Sequence, residues 1–207
     1  MATTFTALIS STITTLEAAT DYYNVVKDDK LLCEPFHESG RGLLLVGKAL
    51  QIAKTKLGGR DLAGDPQSAM DSLKECNANA ELSKNIFNAV AESPETSRVD
   101  RYKEVVRQGG KGRPVEVLMM GMMNYVCALA ENDAIRAGME DQINALRSAI
   151  KKLSKIEASM PDERSSNTFA QYGSGDQLNA PGGTQNISKG SGNHFPGTTF
   201  SGPVTFQ

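Results

Sequence analysis

The stretch "GLLLVGKALQIAKTKLGG" (residues 42–59) decides how the rest of the chain is read. Leu43, Val46, Leu50, Ala53 and Leu57 step along it by three, four, three and four residues. That spacing stacks them on one side of an α-helix, as a stripe made to be buried. Gly58-Gly59 then supplies the stop expected at a helix C-terminus. The opening of the stretch nearly spells a phosphate-binding loop. However, Ala49 stands where a Ser or Thr hydroxyl would meet Mg²⁺, and the four residues between Gly42 and Gly47 are apolar. Helix periodicity accounts for them better.

The same pattern continues outward. Upstream, Ile9, Ile13, Leu16, Tyr23 and Val26 keep one face, until "LLCEP" (31–35) interrupts at its proline. Downstream, Asp65-Pro66 opens a third helix with inner residues Leu73, Cys76, Ala80, Phe87 and Val90, and Ser93-Pro94 ends it. A charged helix over 97–108 and "VEVLMMGMMNYVCALA" (115–130) flank the loop "GGKGRP" (109–114). From the N-caps Asn132-Asp133, the residues Ile135, Met139, Ile143, Leu146, Ile150 and Leu153 repeat close to a heptad. The spacing predicts one long final helix, with Lys151, Lys152 and Lys155 at its C-terminal end. The fold class is all-α: an antiparallel bundle of four to five helices over residues 1–158. A polar linker (159–170) and a distinct tail (171–207) follow.

Composition narrows the function. The net charge of −2 provides no basic field for nucleic acid. Cys33, Cys76 and Cys127 have no CxxC spacing and read as buried free thiols of a reducing compartment. His37 and His194 lie in unlike segments, so no metal, cofactor or catalytic site is expected, and the chain reads as a non-enzyme. Met119, Met120, Met122 and Met123 form either a core wall or a face that repacks. Lys103, Arg107, Lys111 and Arg113 are either solvated surface or a contact to anionic lipid. The N-terminus has no secretory signal pattern, yet runs sixteen residues without charge. Six of those are threonine, and the run falls short of the roughly 20 apolar residues of a spanning helix.

The tail differs from everything before it. Only Asp176 and Lys189 carry charge, and eight residues are glycine. "GSGDQL" (173–178) returns as "GSGNHF" (190–195), and "PGGT" (181–184) as "PGTT" (196–199). This is an imperfect tandem repeat. Gly173, Gly175, Gly190 and Gly192 would make the turns. Leu178, Asn179, Gln185, Asn186, Ile187, Asn193, Phe195, Phe200, Val204 and Phe206 are candidates for the core of stacked rungs, where amide side chains ladder and apolar ones fill a dry interior. Alone, so short a segment is expected to be disordered; stacked on other copies it gains a partner above and below.

Two resemblances follow. "LLCEPFHESGRGLLLVGKAL" (31–50), "SLKECNANAELSKNIFNAV" (72–90) and "GKGRPVEVLMMGMMNYVCAL" (110–129) resemble fungal SesA-type, HeLo-like domains, which occur alone or ahead of NACHT and other NTPase modules. Cys33-Glu34-Pro35 departs from that pattern, which often has Leu directly before Pro. "GGTQNISKGSGNHFPGTTFSGPV" (182–204) is similar to the short amyloid-forming, sigma-like (SesB-type) motif of fungal death-pathway proteins. The resemblance implies a cell-death effector of incompatibility and immune-like signalling, with a NACHT-type receptor carrying a kindred motif as partner. It also implies self-assembly through the tail, action at an anionic membrane surface, and movement from the cytoplasm to the plasma membrane. Phe5, Leu8, Ile9, Ile13 and Leu16 are the candidate inserting residues. The other reading is an adaptor whose tail assembles and whose bundle recruits a protein partner.

Overall fold

A computed structural model describes residues 4–58, 66–110, 112–131, 133–136 and 138–160. Helix α1 (Phe5–Val26) opens where the Thr4 hydroxyl accepts a hydrogen bond from the Ala7 amide at 3.2 Å. Helix α2 (Glu34–Leu57) starts from an extended Cys33, with Pro35 in the first turn, where a missing N–H costs nothing. It stops at Gly58, whose left-handed backbone (φ 52°) a side chain would strain. Then come α3 (Pro66–Ala91), a 3-10 turn (Glu95–Ser97), α4 (Arg98–Gln108), α5 (Val115–Leu129), α6 (Asp133–Arg136) and α7 (Glu140–Leu153).

Four helices close into a ring in the order α1, α3, α5, α2, and α7 lies against α2 and α5. Their directions follow from paired residues. Thr12 meets Asn77 and Thr15 meets Glu81, so α1 and α3 run side by side in the same direction. Tyr23 lies against Gly40 while Ile13 shares a groove with Gln51, so α1 and α2 run antiparallel. Lys152 bonds Glu38 at 2.8 Å near the start of α2, and Asp141 and Ala145 line one pocket with Gln51 and Ile52 further along, so α7 is antiparallel to α2. The stripe expected in α2 is the bundle's axis: Leu43, Val46, Leu50, Ala53 and Leu57 are all buried.

The expected single final helix is two. Gly138 has φ 92°, a conformation outside any helix, and it divides α6 from α7. The apolar rhythm survives the break because Ile135, Met139, Leu146 and Leu153 are still buried. Ser159 and Met160, read above as linker, belong to the helical unit, and Met160 is buried in its core.

Candidate functional site

The end of the bundle where α2 and α5 begin carries most of its polar and aromatic detail. Phe36 is the hub. Its ring centroid lies 4.9 Å from Phe87, 5.3 Å from Tyr102 and 6.4 Å from Tyr23, so α1, α2, α3 and α4 meet there. Edge-to-face and tilted pairs at such distances add to simple burial. Beneath Tyr102 sits Glu116, a carboxyl group in the first turn of α5 that is buried from solvent. The Ser159 amide donates to Glu116 Oε1 at 2.8 Å, and the Ser159 hydroxyl lies 2.8 and 2.9 Å from its two oxygens. Tyr102 Oη stands 2.7 Å from that same hydroxyl. Burial, reinforced by the neighbouring Glu116, holds the Tyr102 phenol well above its ordinary range, so it stays a neutral donor. The result is an anchor: Ser159, six residues after α7 ends, is fastened to the first turn of α5. Nothing in the sequence signalled it, because a first-turn glutamate after a proline is an ordinary helix opening.

The α1 surface read as membrane-inserting faces inward here. Ile9, Ile13 and Leu16 are buried, and Phe5 and Leu8 pack partly buried against the core. Two threonines that made α1 look polar seam it to α3. The Thr12 hydroxyl is 3.0 Å from Asn77 Oδ1, and the Thr15 hydroxyl donates to Glu81 at 2.6 Å. Thr14 and Thr20 donate to the carbonyls four residues back, which satisfies their hydroxyls within the helix. Among the described residues, no helix is long and apolar enough to cross a membrane.

The remaining candidates separate. Met119, Met122 and Met123 are fully buried, Met119 and Met123 beside Gly42 of α2, which is the core-wall reading, and Met120 is partly buried. Gly42, Val46 and Ala49 of the near phosphate loop are buried mid-helix. Arg113 bonds Asn79 at 3.2 Å and so is engaged within the bundle, while Lys103 is exposed. His37 Nε2 donates to the Asp29 carbonyl at 2.9 Å. Of the three cysteines, read as buried, Cys76 alone is; Cys33, the extended residue before α2, and Cys127 of α5 are half-buried. Cys76 lines a cavity of about 260 Å³ with Leu50, Leu73, Tyr125 and Val126, and burial pushes its thiol up to about 12, which makes it a poor nucleophile. Among the described residues, no cluster of His, Cys, Asp and Glu could hold a metal ion. Lys111, His194, the rung candidates from Leu178 to Phe206 and the turn glycines from Gly173 to Gly192 lie outside the described residues.

A family model matches the ring helices from within α1 to the end of α5. It is SesA, the N-terminal domain on NACHT_NTPase and P-loop NTPases, over residues 9–129. The chain belongs to the SesA family. The tail matches a second model, the sigma domain on NACHT-NTPases, over residues 166–207. No curated protein and no solved structure matches the chain. Both domains are of kinds that accompany NACHT NTPases, which supports a NACHT-associated signalling role and a NACHT-type partner. Ser159, the anchor residue, lies beyond the SesA match and seven positions before the sigma match begins at 166.

Proposed function

We propose that the chain is a non-enzymatic effector of fungal regulated cell death, resting in the cytoplasm and acting at the plasma membrane. A NACHT-type receptor with a kindred motif would template residues 171–207 into an amyloid fold. The observation that carries this reading is the occurrence of a SesA match and a sigma match in one chain. The tail's tandem repeat and near absence of charge support stacking, since like charges would otherwise lie over one another. Stacked tails gather many bundles on one fibre, and effective concentration turns weak lipid contacts into strong ones. The apolar face of α1, from Phe5 to Leu16, would enter the bilayer cooperatively after leaving the core.

The test is leakage of anionic liposomes by full-length protein seeded with fibres of the 171–207 peptide, with thioflavin binding read in parallel. Seeded fibres and leakage together are expected. Leakage that persists after removal of residues 1–16 would exclude α1 as the inserting element, and a tail that never binds thioflavin beside seeds would sink the scheme. The adaptor reading draws on a different observation, the burial of Ile9, Ile13 and Leu16 in the core. It expects fibres without leakage.

A further inference from the structure

The groove between α1 and α2 combines features that the bundle itself does not use. It has a volume of about 360 Å³ and a floor of Ile13, Leu16 and Leu43. Leu44 stands in it 54% exposed, a large apolar side chain left open to solvent. One turn on, Gly47 leaves the α2 backbone open: a Cβ placed there would meet no atom within 4 Å. On the α1 side the groove is edged by Glu17 and Asp21, and on the α2 side by Lys48. These three side chains are exposed and make no ion pair among the described residues.

Unlike charges therefore face each other across an apolar trough, acids on one wall and a base on the other. A twofold axis running along such a trough carries α2 of one molecule over α1 of the other. It preserves height along the groove while exchanging the walls. Lys48 of each copy then comes opposite Glu17 of its mate, with Asp21 about one turn further along, twice per pair, as an isologous contact requires. The same operation drops each Leu44 toward the other molecule's apolar floor, and the bare Gly47 lets the helices approach closely. A partner uniformly basic or acidic would satisfy one wall and repel the other.

We propose that the α1–α2 groove is the docking surface for a second copy of this chain, closed by reciprocal Lys48–Glu17 and Lys48–Asp21 pairs around Leu44. The contact deepens the tail-assembly reading, since stacked tails would supply the concentration that makes it persist, but it is defined without the tail. Exposed rim charges are individually weak, so the contact is selective for partner and register more than tight.

The test uses unseeded full-length chain, half of it ¹⁵N-labelled, treated with a zero-length carbodiimide. Mass spectrometry should find Lys48 joined to Glu17 or Asp21 in mixed-isotope pairs, which only two molecules can give. In sedimentation velocity, Lys48→Glu should weaken self-association by about tenfold or more, through like charges set together. Adding Glu17→Lys and Asp21→Lys to that variant should restore it. All three positions are exposed, so folding is not at stake. Same-isotope pairs alone, or a charge swap that fails to restore association, overturns the proposal. So does Leu44→Asp abolishing liposome leakage in the absence of mixed pairs, which would give the groove to lipid. Thioflavin-positive fibres without mixed pairs would refute the groove and spare the tail, and mixed pairs without fibres would do the reverse.

Discussion

Asp29 and Arg98, 69 residues apart in sequence, meet with Arg98 Nη1 3.0 Å from Asp29 Oδ2. Asp29 closes the turn after α1, its side chain is 1% exposed, and its Oδ1 also accepts the Leu31 amide at 2.9 Å. Arg98 opens α4 and reaches the Ser93 carbonyl as well. The pair ties both connections at the anchored end of the bundle to one point.

That pair should set the acid limit of the fold. Burial alone would raise the Asp29 pKa; the Arg98 guanidinium and the Leu31 amide outweigh it and hold the carboxyl below its ordinary value. Its stabilising contribution is therefore complete above the unfolded value of about 4 and is lost as pH falls through the lower, folded one. Asp29→Asn should flatten that part of the curve of urea midpoint against pH. Arg98→Ala, which leaves a buried carboxylate unpaired, should cost about 3 kcal/mol at neutral pH. A loss below about 0.5 kcal/mol, the size of a plain surface change, would show the pair to be idle.

Two glycines of α2 should respond oppositely to alanine. A Cβ on Gly40 would stand 2.3 Å from the Tyr23 ring, which Phe36 and Phe87 confine. Gly40→Ala should destabilise by about 1–3 kcal/mol through overpacking. Gly47→Ala fills open space on a helix surface and should stabilise by up to about 1 kcal/mol. Thermal denaturation of the two variants beside the parent decides both signs.

Ser159→Ala and Glu116→Gln each remove part of one interaction and should each cost about 1–2 kcal/mol. Their double variant should cost clearly less than the sum, because the second change finds the bond already broken. Hydrogen exchange should quicken first over 157–160. Strict additivity in a double-mutant cycle would argue that the contact carries no coupling.

With its thiol raised to about 12 and shut inside the bundle, Cys76 should alkylate only when the bundle opens. Iodoacetamide labelling followed by peptide mapping should find Cys127 and Cys33 modified well before it. Comparable rates at Cys76 and Cys127 would place the α3–α5 cavity in ready exchange with solvent.

Much of this architecture could be read from spacing. The α2 stripe, the inner faces of α1 and α3 and the interruption at 109–114 are local periodicities, and local patterns are visible in one sequence. The break at Gly138 escaped because the apolar repeat on both sides of it stays in step, and a lone glycine within a helical rhythm is commonly tolerated. The parallel pairing of α1 with α3 escaped for a different reason. It depends on Thr12 and Thr15 finding partners 65 and 66 residues away, and hydroxyl groups carry no periodic mark. Glu116 and Asp29 resemble surface acids until Ser159 and Arg98 are placed beside them. The tail motif was legible as repetition, a property of sequence that needs no coordinates.

The long-range seam between α1 and α3 bears on how the protein is made. Thr12 waits for Asn77, 65 residues later. At roughly 5–20 residues per second, translation keeps the first helix without its chief neighbour for roughly 3–13 seconds. During that interval Ile9, Ile13 and Leu16, buried in the finished bundle, have no complete shelter. A ribosome-bound chaperone, or simply a crowded polysome, would encounter that surface before the bundle ever hides it.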